Sequence, residues 1–291
     1  MERIRADDES SRGAPYTRKM DRSTIAIVGV GAMGGALLSG LLEAGWAPSD
    51  LTLIEAYEPR AAELREATGC RTVGLPSDGI DAQDIVVLAV KPQDIHVALA
   101  QLAEALTVDQ VLVALVAGVP ISVYERVLGE VPVIRTMPNT PALVGEGITA
   151  CAPGAYATAG HMALARTVLS AVGLVEEVEE ALMDAVTAVS GSGPAYAYLL
   201  AEAMVAEGVR QGLDPETALR LTARTIRGAG TMMETSDDDP SVLRQRVASP
   251  GGTTAEALAV MDRRGFVDVV REAVAAATDR SIELGEIAAG S

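Results

Sequence analysis

The chain has 291 residues, a length typical of two domains, and 49% of them are hydrophobic, so packed cores are expected rather than disorder. Its 40 acidic residues outnumber its 23 lysines and arginines, and the formal net charge is −17. Because so acidic a surface repels phosphate backbones and anionic lipids, neither nucleic acid nor a membrane surface is expected as a partner.

The rare residue types restrict the chemistry further. The two cysteines, Cys70 and Cys151, form no CxxC motif, so neither a disulfide framework nor a metal site is expected. This cysteine usage favours a reducing, cytoplasmic setting. After His161 the sequence contains no lysine, histidine or cysteine. Any chemistry in the C-terminal part must therefore use hydroxyls, carboxylates, arginine and backbone groups.

The N-terminal part of the sequence predicts a tail followed by an α/β domain. Residues 1–22 lack an apolar segment and are predicted to form a disordered tail rather than a signal peptide. Short apolar runs then alternate with helical patterns to about residue 178, which predicts a Rossmann-type, doubly wound sheet over residues 23–183. The predicted strands are residues 24–28, 51–55, 85–90, 111–116, 133–137 and 148–151.

The sequence pattern changes near residue 184. Long helical patterns rich in Ala, Leu and Val follow, with helix starts at Asp214-Pro215, Asp239-Pro240 and Thr253. An all-helical second domain over residues 184–291 is therefore predicted. Several of its helices are apolar on more than one face, as in AYAYLLAEAMVAEGV, so pairing with a second copy of the chain is favoured over a two-layer monomer.

The strongest motif is G-V-G-A-M-G at residues 29–34, directly after the first predicted strand and at the start of a helix. A dinucleotide-binding fingerprint occupies this position. Gly29 would permit the tight turn, Gly31 the approach of a pyrophosphate, and Gly34 close packing of helix on strand. The uncharged stretch 25–42 has the length of a membrane span, but its glycines and strand-then-helix pattern argue against one. The alternative is a glycine-rich turn without a ligand.

Glu55 ends the second predicted strand, where a carboxylate can accept hydrogen bonds from the adenosine ribose of a dinucleotide. A 2′-phosphate would meet a like charge there, which favours NADH over NADPH. Arg60 lies a short distance along the chain and carries a positive charge, which weakens this preference for NADH. Both NADH and NADPH therefore remain open as the cofactor.

Two further candidates follow predicted core strands. Lys91, within Ala-Val-Lys-Pro at residues 89–92, would lie at the carboxyl edge of the sheet, facing the nicotinamide ribose, the substrate or solvent. Asn139 lies in a loop bracketed by Pro138 and Pro141, which suits presenting its amide to a nicotinamide or a substrate. A rigid turn with Asn139 as its cap is the alternative.

Two segments rich in glycine and hydroxyl groups precede helices of the predicted second domain. They are Ser-Gly-Ser-Gly-Pro at residues 190–194 and Ser-Pro-Gly-Gly-Thr-Thr at residues 249–254. Each offers backbone donors and hydroxyls at a helix start, which are features of an anion-binding N-terminus and would suit a substrate carboxylate. Ordinary helix caps are the alternative.

Together these motifs resemble the pyrroline-5-carboxylate reductase family over residues 24–285. The resemblance implies a Rossmann domain followed by a helical domain that interlocks in a homodimer, and dimers that assemble into larger rings in some members. One departure is Glu55-Ala56-Tyr57, where many members have a Ser or an Asn-Arg pair for a 2′-phosphate. The matching segments are VGVGAMGGALLSGL, LAVKPQD, VAGV, RTMPNTPALVGEG, DAVTAVSGSGPAYAY and VASPGGTTAEAL.

The resemblance also implies site residues, which add to those argued above. The expected cofactor-binding residues are Val28, Gly29, Val30, Gly31, Ala32, Met33, Gly34, Glu55, Ala89, Val90, Lys91, Pro92, Leu115, Val116, Ala117 and Asn139. The expected substrate-binding residues are Glu180, Ser249, Gly251, Gly252, Thr253 and Thr254. Thr254 and Lys91 are the candidate catalytic residues.

The implied reaction is reduction of L-Δ1-pyrroline-5-carboxylate to L-proline, the last step of proline biosynthesis. Hydride passes from NADPH or NADH to the imine carbon, and the nitrogen takes a proton. Because a protonated imine is already electrophilic, the site needs positioning and exclusion of water more than a strong acid. We expect the Thr254 hydroxyl to hydrogen-bond the imine nitrogen, and the amides of residues 251–253, with the Ser249 region, to hold the carboxylate.

A 3-hydroxyacid or 6-phosphogluconate-type dehydrogenase would use a lysine in the helical half, where this sequence has none, so that alternative is disfavoured. Two alternatives remain. A reductase of another cyclic imine would need the same cleft. A non-catalytic dinucleotide sensor would bind the nucleotide without turnover.

Overall fold

An eight-stranded sheet forms the N-terminal half of the described chain, which in this computed structural model comprises residues 23–290. The predicted tail, residues 1–22, lies outside the described residues. The strands are β1 Ile25–Val28, β2 Leu51–Ile54, β3 Arg71–Val73, β4 Ile85–Leu88, β5 Val111–Ala114, β6 Val133–Met137, β7 Gly147–Pro153 and β8 Gly173–Glu177. Their order is β3-β2-β1-β4-β5-β6-β7-β8, and every neighbouring pair is parallel except β6 and β7.

The helices fall into two groups along the chain. Those interleaved with the strands are α1 Ala32–Glu43, α2 Glu58–Thr68, α3 Ile95–Ala103, α4 Ile121–Leu128 and α5 Ala159–Leu169. Those that follow the sheet are α6 Met183–Val186, α7 Gly193–Arg210, α8 Pro215–Thr235, α9 Pro240–Arg246, α10 Thr253–Arg263 and α11 Phe266–Ala289.

Both faces of the sheet are covered, because successive side chains of a strand point to opposite faces. Ile25 and Ile27 of β1 belong to a buried cluster that includes Leu37 of α1 and residues of α5. Ala26 and Val28 belong to a second cluster with residues of α3 and α4. Helices therefore flank the sheet on both sides, and the predicted doubly wound class is confirmed.

Two strands escaped prediction, and both lie at the edges of the sheet. β3 has three residues and includes exposed Arg71, while β8 ends with exposed Glu176 and Glu177, so neither shows the continuous apolar run of an inner strand. The predicted strand 85–90 is shorter in the structure. It ends at Leu88, and Ala89 and Val90 belong to the loop that follows.

The predicted helix starts in the second half are confirmed. Oδ1 of Asp214 accepts hydrogen bonds from the amides of Glu216 and Thr217, at 3.1 and 3.2 Å, and so caps α8. Asp239 caps α9 in the same way, and Thr253 opens α10. α7 packs against α8, and α10 packs against α11.

Helix α11 returns to the sheet. The Ser281 hydroxyl of α11 donates to Oδ1 of Asp184 at 2.7 Å, and Nη1 of Arg126 on α4 donates to the carbonyl oxygen of Ala289 at 3.0 Å. Ala288 and Ala289 pack against the core cluster shared by α3 and α4. The last turn of α11 thus helps to cover one face of the N-terminal half.

The helical half exposes much apolar surface. Within the described chain, α7 buries none of its residues, and Leu199 and Tyr198 are 68% and 59% exposed. Leu219 and Met232 of α8 are exposed as well. Between residues 23 and 290, none of the helices combines the length and the apolar character needed to cross a bilayer.

Candidate functional site

A crevice opens at the carboxyl ends of the central parallel strands. β1 pairs with β2 on one side and with β4 on the other, and open α/β sheets bind ligands where the strand order reverses in this way. The crevice encloses about 400 Å³, and we call it the sheet-edge crevice. Its lining includes many of the residues predicted to bind cofactor: Val28, Gly29, Gly31, Glu55, Ala89, Val90 and Lys91.

The glycine-rich loop forms one wall of this crevice. Gly29 has φ +87°, a conformation that favours glycine, and its amide donates to the Ile54 carbonyl at 2.9 Å. A Cβ on Gly34 would lie 2.1 Å from the Gly29 carbonyl oxygen, so the helix could not approach the loop as closely with any other residue. A Cβ on Gly31, by contrast, would meet nothing within 4 Å. The loop therefore has no space for a side chain at Gly34, where it packs against α1, but it has open space at Gly31, toward the crevice.

The N-terminus of α1 points its free amide groups out of this loop. Gly31 is the N-cap and Ala32 and Met33 follow it in the first turn, while Val30 is buried beneath. Within the described chain, no side chain caps this end and its first turn holds no acidic residue. Unsatisfied amides and the helix dipole together favour an anion at this place.

Glu55 links the glycine-rich loop to the start of α2. Its Oε1 accepts the amide hydrogen of Tyr57 at 3.1 Å, and its Oε2 accepts that of Val30 at 3.4 Å. The side chain is half-buried and lines the crevice. A fixed negative charge therefore lies at the rim of the crevice, beyond the end of β2.

The loops after β4 and β5 form the opposite side. The amide of Ala89 donates to the Val28 carbonyl, and that of Leu115 to the Leu88 carbonyl, each at 2.8 Å. These hydrogen bonds extend the strand pairing by one residue beyond β4 and β5 and hold the two loops in place. Lys91 is exposed at the crevice, whereas Leu115 and Val116 are buried.

A second cavity of about 610 Å³ adjoins the crevice, and we call it the helical-side cavity. Pro92, Ala117 and Gly118 line it from the sheet, Ser192 from the start of α7, and Leu284 from α11. The 3-10 turn Pro92–Asp94 separates the two spaces, because Lys91 and Asp94 line the first and Pro92 lines the second. Sequence reasoning did not predict that α11 contributes to this region.

Asn139 connects the two halves of the chain. Its Oδ1 accepts the amide hydrogen of Ile148 at 3.0 Å, and its Nδ2 donates to the Ser190 hydroxyl at 3.3 Å. Asn139 thus joins two of the segments that the sequence singled out. Among the described residues, its second side-chain N–H has no partner, and Asn139 lines neither the sheet-edge crevice nor the helical-side cavity.

An ion pair links β6 to the 3-10 turn Glu180–Leu182, and sequence reasoning did not predict it. Nη1 of Arg135, on β6, lies 3.1 Å from Oε1 of Glu180, and the amide of Ile121 donates to the same oxygen at 2.6 Å. Arg135 is buried, while the Glu180 side chain is 36% exposed. Burial raises the pKa of nearby Tyr124 far above its usual range, and Arg135 opposes that rise. The Glu180 carboxylate therefore already has protein partners.

The segment 249–254 lies at the surface of the described chain. Gly251 has φ +71°, and the amide of Gly252 donates to the Ser249 carbonyl at 3.0 Å, which forms a turn in front of α10. Thr253 is exposed and Thr254 is half-buried. Neither the sheet-edge crevice nor the helical-side cavity is lined by residues 249–254. A single chain does not bring this segment into either space.

Comparisons with known proteins give a consistent result. The family model described as pyrroline-5-carboxylate reductase dimerisation matches residues 180–284. The one described as NADP oxidoreductase, coenzyme F420-dependent, matches residues 24–118. A pyrroline-5-carboxylate reductase of Corynebacterium melassecola is 39% identical over 91% of this chain and 99% of its own length. One of Mycobacterium tuberculosis is 42% identical over 89% and 96%, respectively.

Solved structures agree with the sequence comparisons. A pyrroline-5-carboxylate reductase from Coxiella burnetii is 33% identical with a TM-score of 0.85, covering 91% of this chain and 99% of its own. A Plasmodium falciparum pyrroline carboxylate reductase with NADP bound is 29% identical with a TM-score of 0.82, covering 91% and 99%. The similarity extends over both halves of the chain.

Proposed function

The chain belongs to the pyrroline-5-carboxylate reductase family, and we propose on that basis that it reduces L-Δ1-pyrroline-5-carboxylate to L-proline. The observation that carries this proposal is the near-complete coverage of relatives at about 40% identity, 99% of one and 96% of another. The chain is thus an NAD(P)H-dependent oxidoreductase, and proline biosynthesis is the pathway it would serve.

The residues of the sheet-edge crevice fit a dinucleotide. The open space in front of Gly31 and the uncapped N-terminus of α1 would accept the pyrophosphate, with Val28 to Gly34 around it. Ala89 to Pro92 and Leu115 to Ala117 would line the nicotinamide part, and Asn139 would offer its remaining N–H. When bound, the reduced nicotinamide supplies the hydride.

The chain's own residues have the tasks of holding the substrate and excluding water. The amides of Gly251 and Thr253, with the Ser249 hydroxyl, would bind the carboxylate at the start of α10, where the helix dipole favours an anion. Gly252 would border the same carboxylate, while its amide keeps the hydrogen bond to the Ser249 carbonyl. The Thr254 hydroxyl would hydrogen-bond the imine nitrogen and keep the ring oriented. Lys91 would lie beside the reacting groups at the rim of the crevice.

Glu180 has a less direct part in this proposal. One of its oxygens is held by Arg135 and by the Ile121 amide, so only the second oxygen is available at the edge of the substrate site. We place Glu180 at the border of the substrate rather than on its reacting atoms.

The proposed active unit is a homodimer. Its support is the exposed apolar surface of α7 and α8, together with the match to a dimerisation family over the helical half. Since segment 249–254 lines neither cavity of its own chain, we propose that each segment serves the crevice of the other chain. Assembly of dimers into a larger ring is an extension of the same proposal.

We further propose that the chain consists of two domains, residues 23–183 and residues 184–291.

We also propose a cytoplasmic location. This location is supported by the two free cysteines, which are both buried. Burial raises the pKa of the Cys151 thiol to about 12, so it stays protonated and unreactive at neutral pH.

The decisive experiment is turnover by the purified full chain. Pyrroline-5-carboxylate should cause loss of the absorbance of NADH or NADPH, and proline should appear in equal amount. Nucleotide binding without turnover would support the sensor alternative. Faster turnover of a different cyclic imine, at equal concentration, would support the alternative imine reductase.

A further inference from the structure

We propose that Glu55 makes this site selective for NADH, whose adenosine ribose carries a free 2′-hydroxyl, over NADPH. The inference rests on the proposed function, because it assumes that a nicotinamide nucleotide occupies the sheet-edge crevice. It goes beyond that function by naming the nucleotide and the side chain that selects it.

The Glu55 carboxylate is held in place before any ligand arrives. One oxygen accepts the Tyr57 amide hydrogen and the other that of Val30, so the group bridges the start of α2 and the glycine-rich loop. Turning away from a ligand would break both hydrogen bonds. A ribose with two hydroxyls can donate to such a fixed acceptor, whereas a 2′-phosphate can only repel it.

The other charged residues of the crevice do not neutralise the negative charge of Glu55. The charged residues that line the crevice are Glu55, Lys91 and Asp94, of which two are acidic. Lys91 belongs to a different loop from Glu55: it follows the end of β4, and β1 separates β4 from β2.

The arginines of α2 have carboxylate partners. Nη2 of Arg65 contacts Glu58 at 2.9 Å, and Nη1 of Arg60 contacts Glu63 at 3.0 Å. The Arg60–Glu63 pair is exposed and weakly held, so Arg60 is the side chain that could turn toward a 2′-phosphate. A test of Glu55 must therefore include Arg60.

The test is calorimetric titration of the full chain with NADH and with NADPH, without substrate. We expect wild type to bind NADH at least about tenfold more tightly. Glu55→Gln should remove most of this ratio by strengthening NADPH binding. Glu66→Gln, which makes the same charge change on an exposed position of α2, should leave the ratio unchanged.

Ionic strength gives a second readout. If the selection is charge repulsion, added salt should reduce the preference of wild type for NADH but hardly affect that of Glu55→Gln. Equal or tighter binding of NADPH by wild type would overturn the inference while leaving the proposed function intact. If Arg60→Ala abolishes that NADPH binding, Arg60 rather than Glu55 decides the choice. Failure of both nucleotides to bind would overturn the proposed function as well.

Discussion

The guanidinium of Arg135 lies 3.1 Å from the carboxylate of Glu180, and this contact ties β6 to the 3-10 turn Glu180–Leu182, which precedes α6. The Ile121 amide, at the start of α4, donates to the same carboxylate oxygen. Glu180 thus joins three parts of the chain: β6, the start of α4 and its own 3-10 turn.

We expect Glu180→Ala to cost about 1–3 kcal/mol of unfolding free energy, because it leaves the buried Arg135 without a partner. The value lies below that of a fully buried pair, since the Glu180 side chain is 36% exposed. Glu180→Gln should cost less, as it keeps an acceptor for the Ile121 amide. Urea unfolding measures both, and Glu179→Gln, at an exposed neighbouring position, is the control. Equal stability of Glu180→Ala and the control would contradict the structural role.

The glycine-rich loop allows a prediction that separates binding from folding. Gly31→Ala should leave stability nearly unchanged, because its Cβ meets nothing in the protein, but should weaken nucleotide binding at least about tenfold by filling the ligand's space. Gly35→Ala is the matched control, because Gly35 lies inside α1 and its added Cβ would be 4.0 Å from the nearest atom, the Val30 carbonyl oxygen. Calorimetry and thermal unfolding of both variants would decide. Unimpaired nucleotide binding by Gly31→Ala would exclude the loop as the pyrophosphate site.

Thr254 is the position where a hydroxyl matters most for the proposed reaction. Thr254→Ala should lower kcat/KM about 10- to 100-fold, the value of a hydrogen bond to a charged group, with little change in the melting temperature. Thr254→Ser retains the hydroxyl and should keep most of the activity. Steady-state kinetics with pyrroline-5-carboxylate measures the effect of both substitutions. Wild-type kinetics in Thr254→Ala would show that the Thr254 hydroxyl has no part in the mechanism.

The proposed dimer can be tested on α7. Leu199→Glu places a charge on an exposed apolar face, so we expect it to raise the dimer dissociation constant at least about tenfold and to lower activity in parallel. Val108→Glu, at a similarly exposed position of the sheet half, should change neither. Sedimentation equilibrium and activity over a dilution series would measure the effect. A fully active monomeric Leu199→Glu protein would show that segment 249–254 serves its own chain.

Local features of the fold were predictable from the sequence. The glycine-rich turn and the Asp214 cap depend on residues within a few positions of one another, and continuous apolar runs such as β4 have a clear signature. The edge strands β3 and β8 were missed because their polar residues hide this signature.

Long-range features of the site were not predictable. The pair Arg135–Glu180 joins residues 45 positions apart, and Glu180 stands in an acidic run that resembles a solvated surface. The bond between Arg126 and the Ala289 carbonyl spans 163 positions. Only the completed fold brings such residues together, so no local sequence pattern predicts these contacts.

The return of α11 to the sheet has a consequence for the order of events during synthesis. All eight strands leave the ribosome before α11 exists, yet Ala288 and Ala289 cover part of the core that α3 and α4 share, and Ala289 accepts the bond from Arg126. A nascent N-terminal half therefore keeps an apolar strip of this core uncovered until the last turn of α11 has been made.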